Sequence, residues 1–433
     1  MNQRKRQLLI GCIADDFTGG SDAASFLRKV GLRTLLLDGA TADAMAVEDL
    51  RPEAVVVALK SRSVPAEQAV AQSLEAAAWL LRHGARQLYF KYCSTFDSTP
   101  AGNIGPVTDA LLELTGSRYT VLCPSLPING RTVRDGILYV NGVPLAESSM
   151  RHHPLNPMTK SALAELMESQ SRYPCFPLTR QQMQSRDPVV RCPSQGRFTV
   201  VPPYADDEEG RQIAEKFGDL PLLTGGSGLL EHLGRRARKR AAVPPEEKSA
   251  PAQGDLPRLL LSGSCSEMTQ KQVCAYLQSG GAALRIEPDK LLSGEQTEEM
   301  LCRAVGAAQA DILLYSTAPP SQVDRYQRAG AERVSALLEG LMGRLAVHGR
   351  VRGFRRIVVA GGETSGAVVQ ALGLRAYRVG KDAAPGVPEL WPIHQPDLGL
   401  VLKSGNFGDE NFFLTALKPP SIYQKESEAE PGL

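Results

Sequence analysis

Two adjacent carboxylates, Asp15 and Asp16, follow the first apolar run of the chain, within the segment Ile-Ala-Asp-Asp-Phe-Thr-Gly-Gly-Ser-Asp at 13–22. If that run is a parallel strand, its carboxyl end faces the crevice in which α/β proteins bind ligands. The pair could accept a proton from a substrate hydroxyl, bind that hydroxyl or bind Mg²⁺. Alternatively, one aspartate caps the following helix, although three other residues could do so equally well: Thr18, Ser21 and Asp22.

Cations and hydroxyls follow two further apolar runs, in the segments 58–65 and 91–99. The side chains concerned are Lys60, Arg62, Lys91, Ser94, Asp97 and Ser98. Because the carboxyl ends of parallel strands meet at one edge of a sheet, we expect this set near the aspartates. Arginine matches a carboxylate with its planar fork, serine and aspartate match sugar hydroxyls, and lysine can neutralise an acid or a phosphoryl group. For any single member, a surface position is an equally good interpretation.

The segment 124–195 is rich in Pro, Arg, Ser and Asn, and it predicts a loop-rich covering over a site. Its turn at 129–132 presents Arg131. His152 and His153 are adjacent, but neighbouring residues of an extended segment point in opposite directions, and no further His or Cys lies at ligand spacing. We expect a histidine bonded to the backbone, with substrate contact as the alternative. The eight cysteines form no CxxC pair, which indicates reduced thiols, and we assign no metal site.

Four Gly- and Ser-rich turns end apolar runs, at 223–228, 261–266, 360–366 and 403–408. A strand followed by glycines and a helix is typical of phosphate sites, because glycine lets the backbone approach the anion and the helix N-terminus offers free N–H groups. None of the turns is a Walker A loop or a clean G-x-G-x-x-G. The candidate nucleotide ligands in the later turns are Ser262, Ser264, Gly361, Gly362, Glu363, Thr364 and Gly405.

The elements that must position these residues alternate between strands and helices, which predicts an α/β fold of mainly parallel sheets flanked by helices. The predicted strands are 8–14, 33–37, 54–59, 87–92, 119–123, 257–262, 311–316, 356–360 and 399–403. The predicted helices are 65–82, 267–278, 297–309, 326–347 and 364–372.

With 433 residues, the chain is too long for one ordinary core. A basic run at 235–240 leads into a Pro/Ala/Glu/Gly segment, which is typical of a linker. We therefore expect a domain over 1–240, a linker over 241–256, a second domain over 257–417 and a disordered tail over 418–433. The net charge of +2 argues against a nucleic-acid partner, and no apolar stretch is long enough for a membrane span or a signal peptide, so we expect a cytoplasmic protein.

These motifs resemble the four-carbon acid sugar kinase family, specifically its 3-oxo-tetronate kinase branch. The segments that carry the resemblance run through the chain in the family's order, at 14–19, 91–99, 102–105, 129–133, 153–158, 261–266, 361–366 and 404–408. The resemblance implies two domains, an acid-sugar site in the first, an ATP site in the second and the active site in the cleft between them. It carries the nucleotide contacts over to Ser262, the stretch Gly361, Gly362, Glu363 and Thr364, and Gly405.

The resemblance further implies that ATP, with Mg²⁺, phosphorylates the C4 hydroxyl of 3-oxo-tetronate in tetronate breakdown. In this scheme Arg62 and Arg131 hold the acid's carboxylate. Asp16 or Asp97 accepts the hydroxyl proton, with Asp16 preferred, and Lys91 offsets phosphoryl charge.

Three alternatives stay open: a kinase for non-oxidised threonate or erythronate, an NAD-dependent hydroxy-acid dehydrogenase and a non-catalytic acid-sugar sensor. A homodimer is also left open. The family's Asp-Ala pair is missing at 201–208, which read Val-Pro-Pro-Tyr-Ala-Asp-Asp-Glu. This departure could alter substrate preference.

Overall fold

The computed structural model describes residues 8–39, 47, 49–152, 156–190, 192, 195–242, 256–319, 322 and 331–418. They divide into two compact units. The first comprises Met1–Glu247 together with Arg375–Val379, and the second comprises Lys248–Leu374 and Gly380–Leu433. The short excursion at 375–379 was not predicted. Most of the predicted linker and tail, 243–255 and 419–433, lies outside the described residues.

The first unit contains a mainly parallel sheet with helices on its faces. Its strands are β1 (Ile10–Ala14), β2 (Thr34–Asp38), β3 (Ala54–Ala58), β4 (Gln87–Lys91), β5 (Tyr119–Cys123), β6 (Arg131–Arg134), β7 (Ile137–Val140), β8 (Val143–Pro144), β9 (Cys175–Pro177), β10 (Phe198–Val201) and β11 (Leu222–Gly225). Its helices are α1 (Phe17–Lys29), α2 (Ala66–Arg82), α3 (Ile104–Leu114), α4 (Leu163–Glu168), α5 (Arg180–Gln184), α6 (Asp207–Phe217) and α7 (Gly228–Ala241).

The main sheet of the first unit has the order β2-β3-β1-β4-β11-β5-β10-β9, and all of these neighbours are parallel. Every residue of β1 and β3 is buried, as expected for central strands covered on both faces. The excursion adds an antiparallel edge, where Tyr377 pairs with Leu36 of β2 and packs edge-on against Phe17. Because β1 runs parallel to β3 and β4, the loops that follow these three strands leave the same edge of the sheet.

The second unit is also mainly parallel. Its strands are β12 (Arg258–Ser262), β13 (Ala282–Arg285), β14 (Ile312–Tyr315), β15 (Arg356–Ala360), β17 (Val387–Pro392) and β18 (Gly399–Lys403), together with the part of β16 (Ala376–Ala384) that begins at Gly380, the earlier part belonging to the first unit. Its helices are α8 (Glu267–Gln278), α9 (Pro288–Ser293), α10 (Glu298–Ala307), α11 (Ala331–Val351), α12 (Gly362–Leu372) and α13 (Phe412–Thr415). The sheet order is β13-β14-β12-β15-β18-β17, with only the β17–β18 pair antiparallel among these.

The predicted α/β class is confirmed in both units, and each predicted strand matches an observed one within about two residues. The prediction for 124–195 was too irregular, because this segment also forms the small antiparallel sheet β6-β7-β8. The strands β9, β10, β11, β13, β16 and β17 were also missed, although the apolar run of β11 was noted before the turn at 223–228.

Candidate functional site

An ion cluster occupies the carboxyl end of β1 in the first unit. Arg62 donates from Nε and Nη2 to the two oxygens of Asp15, at 2.8 and 2.7 Å. Its Nη1 lies 2.9 Å from Oδ2 of Asp16. The predicted cation and both predicted carboxylates are thus brought together, but the planar fork of Arg62 is already occupied by Asp15. The expectation that Arg62 binds a substrate carboxylate stays a prediction, and it would require Asp15 to share or release this fork.

Backbone contacts hold Arg62 in this place. The N–H groups of Ser61 and Arg62 donate to the carbonyl of Asp15 at 3.0 and 3.2 Å. The side-chain amide of Asn103 donates to the carbonyls of Ser61, Arg62 and Val64 at 2.6–3.2 Å. Sequence reasoning quoted Asn103 only as part of a motif. The position of Asn103 shortly after β4 was the one feature of the sequence to suggest that its side chain could reach the loop after β3.

Asp16 also caps α1, which corrects the expectation that its capping role was dispensable. Its Oδ1 accepts from the N–H of Gly19 at 2.8 Å, and its Oδ2 accepts from the Thr18 hydroxyl at 3.1 Å. Burial works to raise the pKa of Asp16, but Arg62, Lys91, Gly19 and Thr18 together hold it below its usual range. The pKa of Asp15 is raised, because the effect of its burial is larger than the opposing effect of Arg62. Asp16 is therefore the carboxyl group of the pair that loses its proton more readily, and its neighbours fix its orientation.

Lys91 completes the cluster as the last residue of β4, and it is buried. A Cβ at Gly19 would lie 2.3 Å from Oδ1 of Asp16 and 2.6 Å from Nζ of Lys91. Glycine is therefore required at position 19, because a side chain there would separate the ammonium from the carboxylate. Lys91 and Asp15 are buried and Arg62 and Asp16 are half-buried, so two cations face two carboxyl groups before any ligand binds.

Arg131, a further predicted cation of the first unit, is half-buried at the start of β6. Among the described residues it forms no ion pair, and its buried Nε has no hydrogen-bond partner, while Nη1 donates to the Asn129 carbonyl. Burial lowers the pKa of Arg131. The Cys93 thiol acts to raise the pKa of both Arg131 and Arg62. Arg131 therefore keeps a buried donor that an anion could use.

The hydroxyl-matching residues predicted after β4 lie on the loop 94–99. Asp97 accepts from the Asn156 amide at 2.8 Å, and Ser98 accepts from the Gln170 amide at 3.1 Å. Ser94 lies next to the glycine turn of β11, where its Cβ would be 3.5 Å from a Cβ at Gly226. Asp97 and Asp16 both remain candidate proton acceptors, and Asp16 is preferred because the donors that orient it are clear.

Three features of the first unit have purely structural explanations. The turn at 223–228 contains glycine because a Cβ at Gly225 would lie 2.1 Å from the Cys123 carbonyl. In the acidic stretch after β10, Asp206 caps α6 by accepting from Glu209 N. Lys60 is exposed, beside Asp38, whose pKa burial raises. Residues 153–155, which include one of the two predicted loop histidines, lie outside the described residues.

The later glycine turns of the second unit pack against each other. A Cβ at Gly263 would lie 2.1 Å from the Thr364 hydroxyl, and a Cβ at Gly405 would lie 2.5 Å from the Ser264 hydroxyl. Gly361 has φ +123°, a conformation that favours glycine, and its N–H donates to the Lys403 carbonyl at 2.9 Å. The turns after β12, β15 and β18 therefore form one surface at the carboxyl ends of these strands.

The N-terminus of α12 opens onto this surface. Its cap residue, Gly361, offers no side chain, so the first N–H groups of the helix have no side-chain acceptor. Thr364 is buried in the first turn, whereas Gly362 and Glu363 are exposed, and burial together with Glu339 raises the pKa of Glu363. Ser262 shares a hydrogen bond of 2.7 Å with Thr317. An uncapped helix end behind glycine turns can bind phosphate oxygens.

Sequence reasoning missed Lys403, the last residue of β18. Its side chain is fully buried, and Nζ donates to Thr269 Oγ1 at 2.9 Å, to the Gly405 carbonyl at 2.9 Å and to the Ser404 carbonyl at 3.3 Å. The signal was present, because a lysine that ends an apolar strand just before Ser-Gly must be placed at the glycine turns.

The described residues provide no ready-made metal centre, since no three His, Cys, Asp or Glu side chains among them form a cluster that could hold an ion. Mg²⁺ in phosphate-handling sites is commonly held by one or two carboxylates and the phosphates of the ligand. This donor set fits an ion that enters with a nucleotide better than a resident one. In the described part of the chain, no helix is both long and apolar enough to span a bilayer.

Comparison with protein families matches the two halves of the chain separately. A family model described as a sugar-binding N-terminal domain matches residues 10–233. A second model, described as a nucleotide-binding C-terminal domain, matches residues 259–413. The ion cluster lies in the first range, and the later glycine turns lie in the second.

Curated relatives cover nearly the whole chain. A protein of Brucella melitensis named 3-oxo-tetronate kinase is 45% identical, over 94% of this chain and 95% of its own length. A Pectobacterium atrosepticum protein of the same name is 44% identical, over 94% and 98% respectively. A crystal structure from Salmonella typhimurium has a TM-score of 0.84 at 40% identity and covers 95% of this chain and 99% of its own.

Replacing Arg62 by glutamine tests the ion cluster. The change leaves Asp15 and Asp16 without their shared cation, and breaking a buried charge pair is costly, so we expect the free energy of unfolding at pH 7 to fall by about 3 kcal/mol. The loss should shrink as the pH falls towards 4, because the carboxylates then become protonated. Urea unfolding at both pH values measures this.

The matched control is Arg211→Gln, which removes the same charge from an exposed pair with Glu208 and Glu215. It should leave stability almost unchanged, since exposed ion pairs contribute little. If the two variants lost the same free energy of unfolding at pH 7, the cluster would have no special structural role.

Proposed function

The chain belongs to the four-carbon acid sugar kinase family, in its 3-oxo-tetronate kinase branch, and from this premise we propose that it transfers the γ-phosphoryl group of ATP to the C4 hydroxyl of 3-oxo-tetronate. The enzyme is a phosphotransferase with an alcohol group as acceptor. The main support for the proposal is the lowered pKa and the fixed orientation of Asp16. This carboxylate is ionised and held in one orientation by four neighbouring donors and cations.

Asp16 is proposed to accept a hydrogen bond from the C4 hydroxyl and then its proton. A phosphoryl group passes through a loose transition state, so alignment of the hydroxyl matters more than the strength of the base. A carboxylate with a lowered pKa suits this task, because it stays ionised at neutral pH. Arg62 fixes the position of Asp16, and Lys91 offsets the charge of the incoming phosphoryl group.

Arg131 is proposed to bind the carboxylate of the acid. Its buried Nε has no hydrogen-bond partner in the described structure, whereas the fork of Arg62 is paired with Asp15. The Cys93 thiol acts on the pKa of both Arg131 and Arg62, which supports a role for both guanidinium groups at one site. A short acid bound at Arg131 is proposed to reach Asp16 with its far hydroxyl. Ser94, Asp97 and Ser98 offer further partners for hydroxyl or keto oxygens.

The nucleotide is proposed to bind at the turns after β12, β15 and β18. The open N-terminus of α12 supplies backbone N–H groups for phosphate oxygens, together with Gly362, Thr364 and Gly405. Ser262, Ser264, Gly361 and Glu363 complete the set. Mg²⁺, when it is bound with the nucleotide, neutralises phosphate charge, and Glu363 is the exposed carboxylate among these residues that could contact it.

A coupled ADP-release assay over four-carbon acids and their 3-keto forms tests the proposal. We expect the highest kcat/KM with 3-oxo-tetronate and no ADP release without an acid. Faster turnover of threonate or erythronate would move the proposal to the non-oxidised substrates. Reduction of NAD⁺ with any of these acids, in the absence of ADP release, would overturn it.

The variant Asp16→Asn tests the acceptor of the proton. Asparagine is as good a helix cap as aspartate, so α1 should persist while the negative charge is lost. We expect kcat to fall by roughly 10²-fold or more, with the KM for the acid largely kept, as for the loss of a positioned base. The control Asp206→Asn makes the same change at the cap of α6 and should leave kcat unchanged. Near-normal turnover of Asp16→Asn would remove Asp16 from this role.

The variant Arg131→Gln tests the binding of the carboxylate. Loss of charge-assisted hydrogen bonds should raise the KM for the acid by roughly 10- to 100-fold, while the KM for ATP stays constant. Arg134→Gln is the matched control, because Arg134 lies in the same strand and is exposed. Steady-state kinetics with each substrate varied in turn measures both values. An unchanged KM for the acid would contradict the assignment.

The variant Gly263→Ala tests the nucleotide surface. The added methyl group would meet the Thr364 hydroxyl at 2.1 Å and must displace the first turn of α12. A shift of this size should weaken ADP binding by roughly tenfold or more. Gly340→Ala is the control, since its Cβ meets only the flexible end of Arg344 within the α11 helix. Titration calorimetry measures the affinity of each variant for ADP. Equal affinities of the two variants would indicate that the nucleotide binds elsewhere.

A further inference from the structure

The ammonium group of Lys403 is tied to the nucleotide turns by all of its donors. Its Nζ donates to Thr269 Oγ1 and to the carbonyls of Ser404 and Gly405. Thr269 in turn donates to the Gly405 carbonyl at 2.8 Å and accepts from the Ser266 hydroxyl at 3.0 Å. One buried cation therefore fixes both the Gly405 turn and the turn that begins α8.

Gly405 is the position at which this network meets the nucleotide surface. A Cβ there would lie 2.5 Å from Ser264 Oγ and 2.8 Å from Ser266 Oγ, so the turns after β12 and β18 are in direct contact. Lys403 lies beneath them, with its ammonium 5.7 Å from the centre of the Phe412 ring. Since Lys403 is fully buried, it supports these turns and is not itself placed to touch a ligand.

No described carboxylate compensates the charge of Lys403. The elements packed around it carry several charged groups, namely Glu267 and Lys271 of α8, Arg356 of β15, Glu363 of α12, Glu389 of β17, and Asp409 and Glu410 after β18. Glu267 pairs with Lys271 at 3.2 Å, and Glu389 lies 3.7 Å from Lys381. Asp409 accepts from the N–H of Asn411. The ammonium therefore has hydrogen-bond partners but no described counter-charge.

Burial without a counter-charge lowers the pKa of Lys403 from 10.5 to about 7. Near neutral pH the free protein is then a mixture of molecules with and without this proton. The neutral amine has one donor fewer, so it cannot hold all three oxygens that fix the turns. A polyphosphate bound at these turns would supply negative charge and favour the protonated form.

We propose that Lys403 is the positioning residue of the nucleotide turns and that the protein takes up a proton at Lys403 when a nucleotide polyphosphate binds. The inference rests on the proposed nucleotide site in the second unit. Linkage gives the sign of the effect. Because the bound state holds the proton more tightly than the free state, nucleotide affinity falls as the pH rises through 7.

Titration calorimetry of ADP binding at pH 8, in two buffers with different ionisation enthalpies, measures proton uptake directly. We expect net uptake of a substantial fraction of a proton at pH 8 and little at pH 6, where Lys403 is already protonated. ADP is chosen because its phosphates are fully ionised at pH 8, the second pKa of a phosphate being near ~6. Binding without uptake at pH 8 would overturn the proposal.

The variant Lys403→Met removes the proton but keeps the length of the side chain. We expect ADP binding at pH 6.5 to weaken by roughly 10- to 100-fold, with no proton uptake at pH 8, while the fold is kept, since an apolar replacement of a buried charge is often tolerated. Lys271→Met is the matched control, an exposed lysine of α8 that should behave as the unaltered protein. Uptake that persists in Lys403→Met would contradict the proposal.

Two outcomes separate this inference from the proposed function. If the unaltered protein binds no ADP at any pH, the nucleotide site itself is wrong. If it binds ADP without a protonation step, only the role of Lys403 is wrong. Should Lys403→Met not fold, the uptake measured in the unaltered protein between pH 6 and 9 still decides, because its onset must lie near pH 7.

Discussion

The shared ion pair of Arg62 with Asp15 and Asp16 is the constraint on which the first unit depends. Three loops meet at one edge of the sheet, and without this cation two adjacent carboxyl groups, one buried and one half-buried, would lie side by side at the end of β1. Asp15 occupies the fork of Arg62, and Asn103 holds the backbone of Arg62. In the proposed function Asp15 is therefore structural, while Asp16 and Arg131 contact the substrate.

In the second unit, by contrast, a buried charge is stabilised by hydrogen bonds alone. Lys403 has hydrogen-bond acceptors but no described carboxylate, and it lies under glycine turns that pack too closely for any side chain at positions 263 or 405. A paired cluster is insensitive to pH near neutrality, whereas an unpaired ammonium responds to it. Under the two proposals, the first unit would hold an acid in a fixed orientation, and the second would respond to the charge of its ligand.

The sequence predicted those features of the structure that depend on a single strand or helix. Apolar runs located the strands, and strand ends located Asp16, Lys91, Gly361 and Gly405. What could not be read was any contact between distant segments. Nothing in the residues near Arg62 shows that Asp15 occupies its fork, and nothing near Tyr377 shows that it pairs with β2. Lys403 was overlooked for a different reason, because a strand-end lysine is usually solvated and its burial depends on α8 and α13.

The central claim is that the acid is held by its carboxylate at Arg131 while its terminal hydroxyl reaches Asp16, so the position of the new ester is the most direct test. Phosphorus NMR of the product formed from ATP and 3-oxo-tetronate, with coupling to protons observed, reads that position. The account predicts a phosphate coupled to the two protons of a terminal CH₂ group. A phosphate coupled to a single methine proton, or to none as in an acyl phosphate, would contradict it.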